Sequence, residues 1–100
     1  VSYAEHLAAD RRLALLQLVI EDGGTSNDSS LLTAMRMIGH RQHLDQAALR
    51  GLLKDLEARD CVSIELVRDT IMVAKVTERG RMAAAGDVAI GGVSNPHKGL

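Results

Sequence analysis

Between Leu49 and Val67 the apolar residues change their spacing, and that change restricts the possible folds more than any other stretch of the chain. Leu49, Leu52, Leu53 and Leu56 fall at i, i+3, i+4 and i+7, the one-sided stripe of an amphipathic helix. From Cys61 onward the period is two: Val62, Ile64 and Leu66 alternate with Ser63 and Glu65, as half-buried strands do. Arg68-Asp69-Thr70 is a polar turn, after which residues 71–76 return as a β-branched-rich run. A helix running directly into an antiparallel hairpin is therefore predicted, with the junction near residues 59–61.

The helix has a local starting signal. Asp45 can accept an orphan backbone N–H as N-cap, while Leu44 and Leu49 occupy the two positions of a hydrophobic staple. The helix is predicted to run to about Arg59, with Gln46, Arg50, Lys54, Asp55 and Glu57 on its polar face. Upstream, nothing breaks a helix from Ala4 to Asp22. There Leu7, Leu13, Leu16, Val19 and Ile20 point inward, Asp10, Arg11, Gln17 and Glu21 face water, and Gly23-Gly24 ends the run. Residues 25–30 form a polar link whose Ser26 or Asn27 can cap a short helix carrying Leu31, Leu32, Met35 and Ile38, which Gly39 stops. Thr77 caps a last helix through Ala85, Glu78 suits its dipole, and Gly86 closes it. The predicted order is helix, helix, helix, strand, strand, helix: a mainly α domain over residues 1–86 with one small hairpin, then a flexible tail over 87–100.

Composition excludes several classes. Of the 100 residues 46% are apolar and 25% charged, with a net charge of −1, which suits one globular domain. The longest apolar block, Leu13 to Ile20, is interrupted by Gln17 and falls short of the ~18 residues of a membrane span, so neither a membrane nor a secretory segment is expected. Cys61 is the sole cysteine, which excludes an intramolecular disulfide and a multi-cysteine zinc site and fits the cytoplasm. Tyr3 is the sole aromatic residue, so base-stacking platforms for single strands are disfavoured. The core must be aliphatic, with Met35, Met37, Met72 and Met82 filling its gaps. No nucleophile elbow, phosphate-binding glycine loop or metal-hydrolase motif occurs, so no enzyme, catalytic residue or cofactor is expected. His40-x-x-His43 and Cys61 carry metal-capable atoms, but two histidines flanking Arg41 and one apolar-strand cysteine are not read as a metal site.

Two helices joined by a short glycine-started turn and followed at once by a hairpin give the chain order of a winged helix-turn-helix. The run Leu49-x-x-Leu52-Leu53-x-x-Leu56-x-x-x-x-Cys61-Val62, the hairpin, and Val76-Thr77-Glu78-Arg79-Gly80 resemble the recognition helix, wing and Thr-x-x-Gly segment of ArsR/MarR-type winged-helix regulators. Ser2-Tyr3-Ala4-Glu5-His6-Leu7, Asp10-Arg11-Arg12-Leu13 and Gly39-His40-Arg41 are more specifically similar to small ArsR-like proteins of Mu-like bacteriophages and prophages. The resemblance covers residues 2 to about 86 and implies a DNA-binding transcriptional regulator. Two departures stand out. Arg59-Asp60 occupies the place where such proteins often carry a glycine in left-handed conformation, and Gly51 lies inside the third helix, at a cost of about 1 kcal/mol relative to Ala.

Charge is distributed unevenly. Residues 1–35 carry −3, residues 36–54 carry +3 and residues 55–100 carry −1. Clustered cations release counterions from a duplex even when the whole protein is near neutral. The DNA-binding set read from the sequence is Arg36, His40, Arg41, His43, Gln46, Arg50, Lys54 and Arg68. In that reading the third helix enters the major groove, Gln46 and Arg50 reach base edges, Lys54 and Arg41 meet phosphates, and Arg68 inserts into the minor groove. Asp55 and Glu57 would oppose phosphate if they shared the face of Lys54. Operators for such domains are usually inverted repeats, so a homodimer on double-stranded DNA is expected, with Leu15, Leu18 or Ala83-Ala84-Ala85 as contact surfaces unless those leucines complete the core. The alternative is a winged-helix protein-interaction module in phage assembly with no DNA role.

Overall fold

A computed structural model of the chain describes residues 2–97. Its elements are α1 (Tyr3–Glu21), β1 (Thr25–Asn27), α2 (Asp28–Met37), α3 (Gln46–Ala58), β2 (Val62–Val67), β3 (Ile71–Val76) and α4 (Glu78–Ala85). One local device starts all four helices. Ser2, Asn27, Asp45 and Thr77 sit in extended conformation, and each side-chain oxygen accepts the backbone N–H three residues on. The hairpin turns through Arg68 and Asp69, both left-handed at φ 53° and 56°, and Asp60 adopts φ 60° at the end of α3. Asp is among the residues that tolerate this region, so the missing glycine is replaced there at modest cost.

The three strands form one antiparallel sheet in the order β1-β3-β2, with Ser26 and Ile64 flanking Ala74 from either side. Thr25–Asn27, expected as linker, is thus a strand. Its three polar residues have no strand pattern of their own and take extended conformation from pairing with β3. The result is a small α+β domain of four helices and a three-stranded sheet.

Leu15, Leu16 and Val19 of α1, Leu31 and Met35 of α2, and Leu49, Leu53 and Leu56 of α3 make a buried cluster with Val62, Met72 and Ala74 of the sheet. Leu44 and Leu49, the expected staple, are both buried. Leu15 is fully buried and Leu18 packs against the same cluster, so the dimer surface suggested for them is core. Ile38 lies past the last turn of α2 and is exposed, as are Met37 and Met82, which therefore fill no gaps. Leu66 lies near the hairpin tip and is half exposed. Arg11, expected in water, is 8% exposed, because the turn after α2 folds across it.

Gly80 is the position where a side chain is least admissible. A Cβ there would collide with the carbonyl oxygen of Cys61, and this close approach lets Thr77 donate through N to Cys61 O (3.0 Å) and through Oγ1 to Asp60 O (2.6 Å). The Thr-x-x-Gly segment therefore welds α4 to the α3–β2 junction. By contrast, nothing lies within 4 Å of a Cβ placed on Gly51, so no close packing requires that glycine.

Residues 87–97, expected as part of a flexible tail, are docked against α1, the end of α3 and α4. Ile90 is buried and Val88 and Val93 pack on the core cluster, while Arg12 and Arg59 donate to the carbonyls of Gly92 and Gly91. The segment has no helical or strand period, so its three apolar anchors gave no regular signal. Residues 98–100 of the expected tail lie outside the described residues.

Candidate nucleic-acid interface

Asp28 opens α2 and is 1% exposed, yet it carries a charge. Its Oδ2 accepts from Arg50 Nε at 2.6 Å and Gln46 Nε2 at 2.9 Å, both one turn apart on α3, and its Oδ1 accepts from Ser29 N at 3.0 Å. Burial pushes the carboxyl pKa up, but hydrogen bonds from Gln46 and Arg50, the charge of Arg50 and the Ser29 N–H outweigh it, leaving Asp28 below its ordinary value. Arg50 also donates through Nη2 to Thr70 O at 2.6 Å. One buried carboxylate thus ties α2 to α3, and the arginine it holds ties α3 to the hairpin turn.

Gln46 and Arg50 are therefore not the free base-reading side chains expected from the sequence. Both are turned toward Asp28, because a carboxylate removed from water requires donors and these are the two within reach. Arg50 positions the hairpin turn, and Gln46 shares the carboxylate that holds Arg50. No role for Asp28 is legible in the sequence, since its partners lie 18 and 22 residues away.

The α2–α3 turn, residues 38–45, gathers a second group. Arg36 donates through Nη2 to Leu44 O at 3.0 Å, Arg41 through Nε to Arg36 O at 3.1 Å, and Arg11 through Nη2 to Gln42 O at 2.8 Å. All three guanidiniums meet neutral carbonyls. Among the described residues none of the three has a carboxylate within ion-pair distance, and the two ion pairs found are Arg12–Asp55 and Arg50–Asp28. Lys54 and Arg68 are exposed and likewise have no ion-pair partner among the described residues.

His40 and His43 separate. His40 is half-buried, with Arg11 Nε 3.5 Å from its Nδ1; burial first, and then the charge of Arg11, lower its pKa, partly offset by Asp10. A neutral imidazole is thereby favoured, which removes His40 from the cationic set. His43 is exposed in left-handed conformation at φ 54°. Among the described residues no three of His, Cys, Asp or Glu converge, so His40, His43 and Cys61 do not form a joint site. Cys61 is fully buried, and burial raises its thiol pKa despite Arg79 and Arg59, giving an inert packed sulfur.

Of the two acids that could have opposed a phosphate, Asp55 is neutralised by an ion pair, while Glu57 is turned toward β2 and keeps its charge. Asp55 pairs with Arg12 at 2.8 Å, and Glu57 Oε2 accepts the Ile64 N–H at 3.0 Å. Arg11 is the residue missed by sequence reasoning. Its signal was its place on the Leu7–Arg11–Leu15 row of α1, an inward row at i+4 spacing. Of the cations expected at the interface, those that remain exposed are Arg36 at the end of α2, Arg41 on the α2–α3 turn, Lys54 on α3 and Arg68 at the hairpin tip that Arg50 ties to α3.

No family model matches the chain, and no solved structure matches it significantly. It is 30% identical over 79 residues to an uncharacterized protein of Haemophilus influenzae, an alignment covering 79% of this chain and 76% of that protein. The chain therefore belongs to the same family as that Haemophilus influenzae protein.

Proposed function

We propose that the chain is a winged-helix protein that binds double-stranded DNA and regulates transcription, with α3 in the major groove and the β2–β3 hairpin as the wing. The observation that carries this reading is the set of exposed cations, Arg36, Arg41, Lys54 and Arg68, left without carboxylate partners among the described residues while Asp28 and Asp55 are held by Arg50 and Arg12. The topology supports it: β1 lies between α1 and α2 and pairs with the second hairpin strand, and the Asp28–Arg50–Thr70 chain of contacts holds the hairpin turn beside α3. Phosphate contacts dominate this binding mode. With Gln46 and Arg50 engaged by Asp28, base readout falls to the exposed Ala47 and Gly51 of α3, small enough to approach thymine methyl groups, and to Arg68 in the minor groove. Sequence preference is correspondingly modest. The resemblance to ArsR-like proteins of Mu-like phages extends the proposal to phage or prophage genes, a cytoplasmic setting and a homodimer on an inverted repeat.

Replacing Arg41, Lys54 and Arg68 together by Ala should weaken duplex binding at least about tenfold in fluorescence anisotropy, with melting unchanged. Unaltered affinity would defeat the reading. A protein-interaction module in phage assembly is favoured instead by Met37, Ile38 and Leu66, which are 77%, 56% and 51% exposed. That alternative predicts no duplex binding in low salt.

A further inference from the structure

The N-terminal half of α1, the turn before α3 and the first turns of α3 enclose a groove of roughly 400 Å³, distinct from the exposed cations. Its walls are mostly apolar, supplied by Tyr3, Leu7, Leu44, Ala48 and Leu52, with Gln42 and His43 at one side and Arg11 as the permanently charged side chain. Arg11 is more than nine-tenths buried. Its partners are a main-chain carbonyl, Gln42 O, and the ring of His40, whose lowered pKa favours the uncharged form. Asp10, its sequence neighbour, accepts from the Ser94 hydroxyl instead. Buried guanidiniums are normally matched by an anion, because a desolvated charge is costly without one. Among the described residues the protein supplies no carboxylate for this one.

We infer that this groove is a binding site for a small amphipathic monocarboxylate, whose apolar body lies against Leu7, Leu44, Ala48 and Leu52 and whose carboxylate meets Arg11. The volume lies within the range of small-ligand sites, and a guanidinium presents paired donors that match a carboxylate. Other occupants fit less well. An uncharged apolar molecule leaves Arg11 unmatched, a cation is repelled by it, and a phosphorylated ligand brings more charge than one guanidinium offsets. The inference is independent of DNA binding, since the groove is read from its own walls.

Octanoate serves as the probe, with octanol as its uncharged counterpart, followed by amide chemical-shift titration of the ¹⁵N-labelled protein. Saturable shifts are expected at Ala8, Leu44, Ala48 and Leu52, with octanol binding at least about tenfold more weakly. Ala48→Leu places bulk in the groove at an exposed helical position and should weaken octanoate binding at least about tenfold. Arg11→Gln should bring octanoate down to the level of octanol. If Arg11→Gln does not fold, the octanol comparison and Ala48→Leu still decide the matter. Equal binding of octanol, unchanged binding by Ala48→Leu, or no saturable shift would each overturn the proposal. So would the same shifts produced by raising protein concentration alone, which would assign the groove to a second copy of the chain.

Discussion

Asp28 is 1% exposed, and three donors hold its charge in place. Replacing it by Asn keeps the shape but leaves the Arg50 cation without its counter-charge. Breaking a buried pair costs about 3–5 kcal/mol when both partners are fully desolvated; Arg50 retains 29% side-chain exposure, so a loss of about 2 kcal/mol is expected in urea denaturation. The pH dependence has a definite sign. The folded-state pKa of Asp28 lies below its unfolded value, so its stabilisation is complete above the ordinary carboxylate pKa and disappears as pH falls through the depressed one. Acid titration of stability should therefore be shallower in Asp28→Asn than in the parent below about pH 4. Parallel curves would mean that the Arg50 and Gln46 contacts do not hold the charge.

The elements differ in how their sequences reveal them. The caps Asp45 and Thr77, the pair Ser26 or Asn27 of which Asn27 is the cap, the Leu44–Leu49 staple, the hairpin turn at Arg68-Asp69 and the terminating Gly86 were legible because each depends on residues within about four positions. β1 was not, because Thr25–Asn27 becomes a strand only against residues 73–75, some fifty positions away. Shorter but still non-local separations hid the candidate interface. Arg36, Arg41, Lys54 and Arg68 could be read as exposed cations, but the withdrawal of Gln46 and Arg50 toward Asp28 and the burial of Arg11 depend on tertiary neighbours. Two glycines test the element-level packing in opposite directions. Gly80→Ala meets the Cys61 carbonyl and should destabilise by about 2–3 kcal/mol, whereas Gly51→Ala meets open space and should stabilise by about 1 kcal/mol. Thermal melts of the two variants should move apart from the parent, and a stabilising Gly80→Ala would contradict the weld between α4 and the α3–β2 junction.

At the scale of the whole molecule, a net charge of −1 conceals an uneven distribution along the chain. Negative charge prevails in residues 1–35, and Asp28 within them is consumed by Arg50, while residues 36–54 carry Arg36, Arg41 and Lys54, and Arg50, one turn from Lys54 on α3, ties that helix to the hairpin turn beside Arg68. On the proposed reading these cations would meet duplex phosphates and release counterions, and the dependence on salt counts the phosphates engaged. Four exposed cations correspond to a slope of about −3 to −4 in a plot of log affinity against log salt concentration. The most direct measurement is a salt titration of binding to a random-sequence duplex, followed by anisotropy from about 50 to 200 mM monovalent salt. Binding at the low end with a slope near that value is the predicted result. Absence of duplex binding at the lowest salt, or binding indifferent to salt, would contradict the assignment of this surface to DNA.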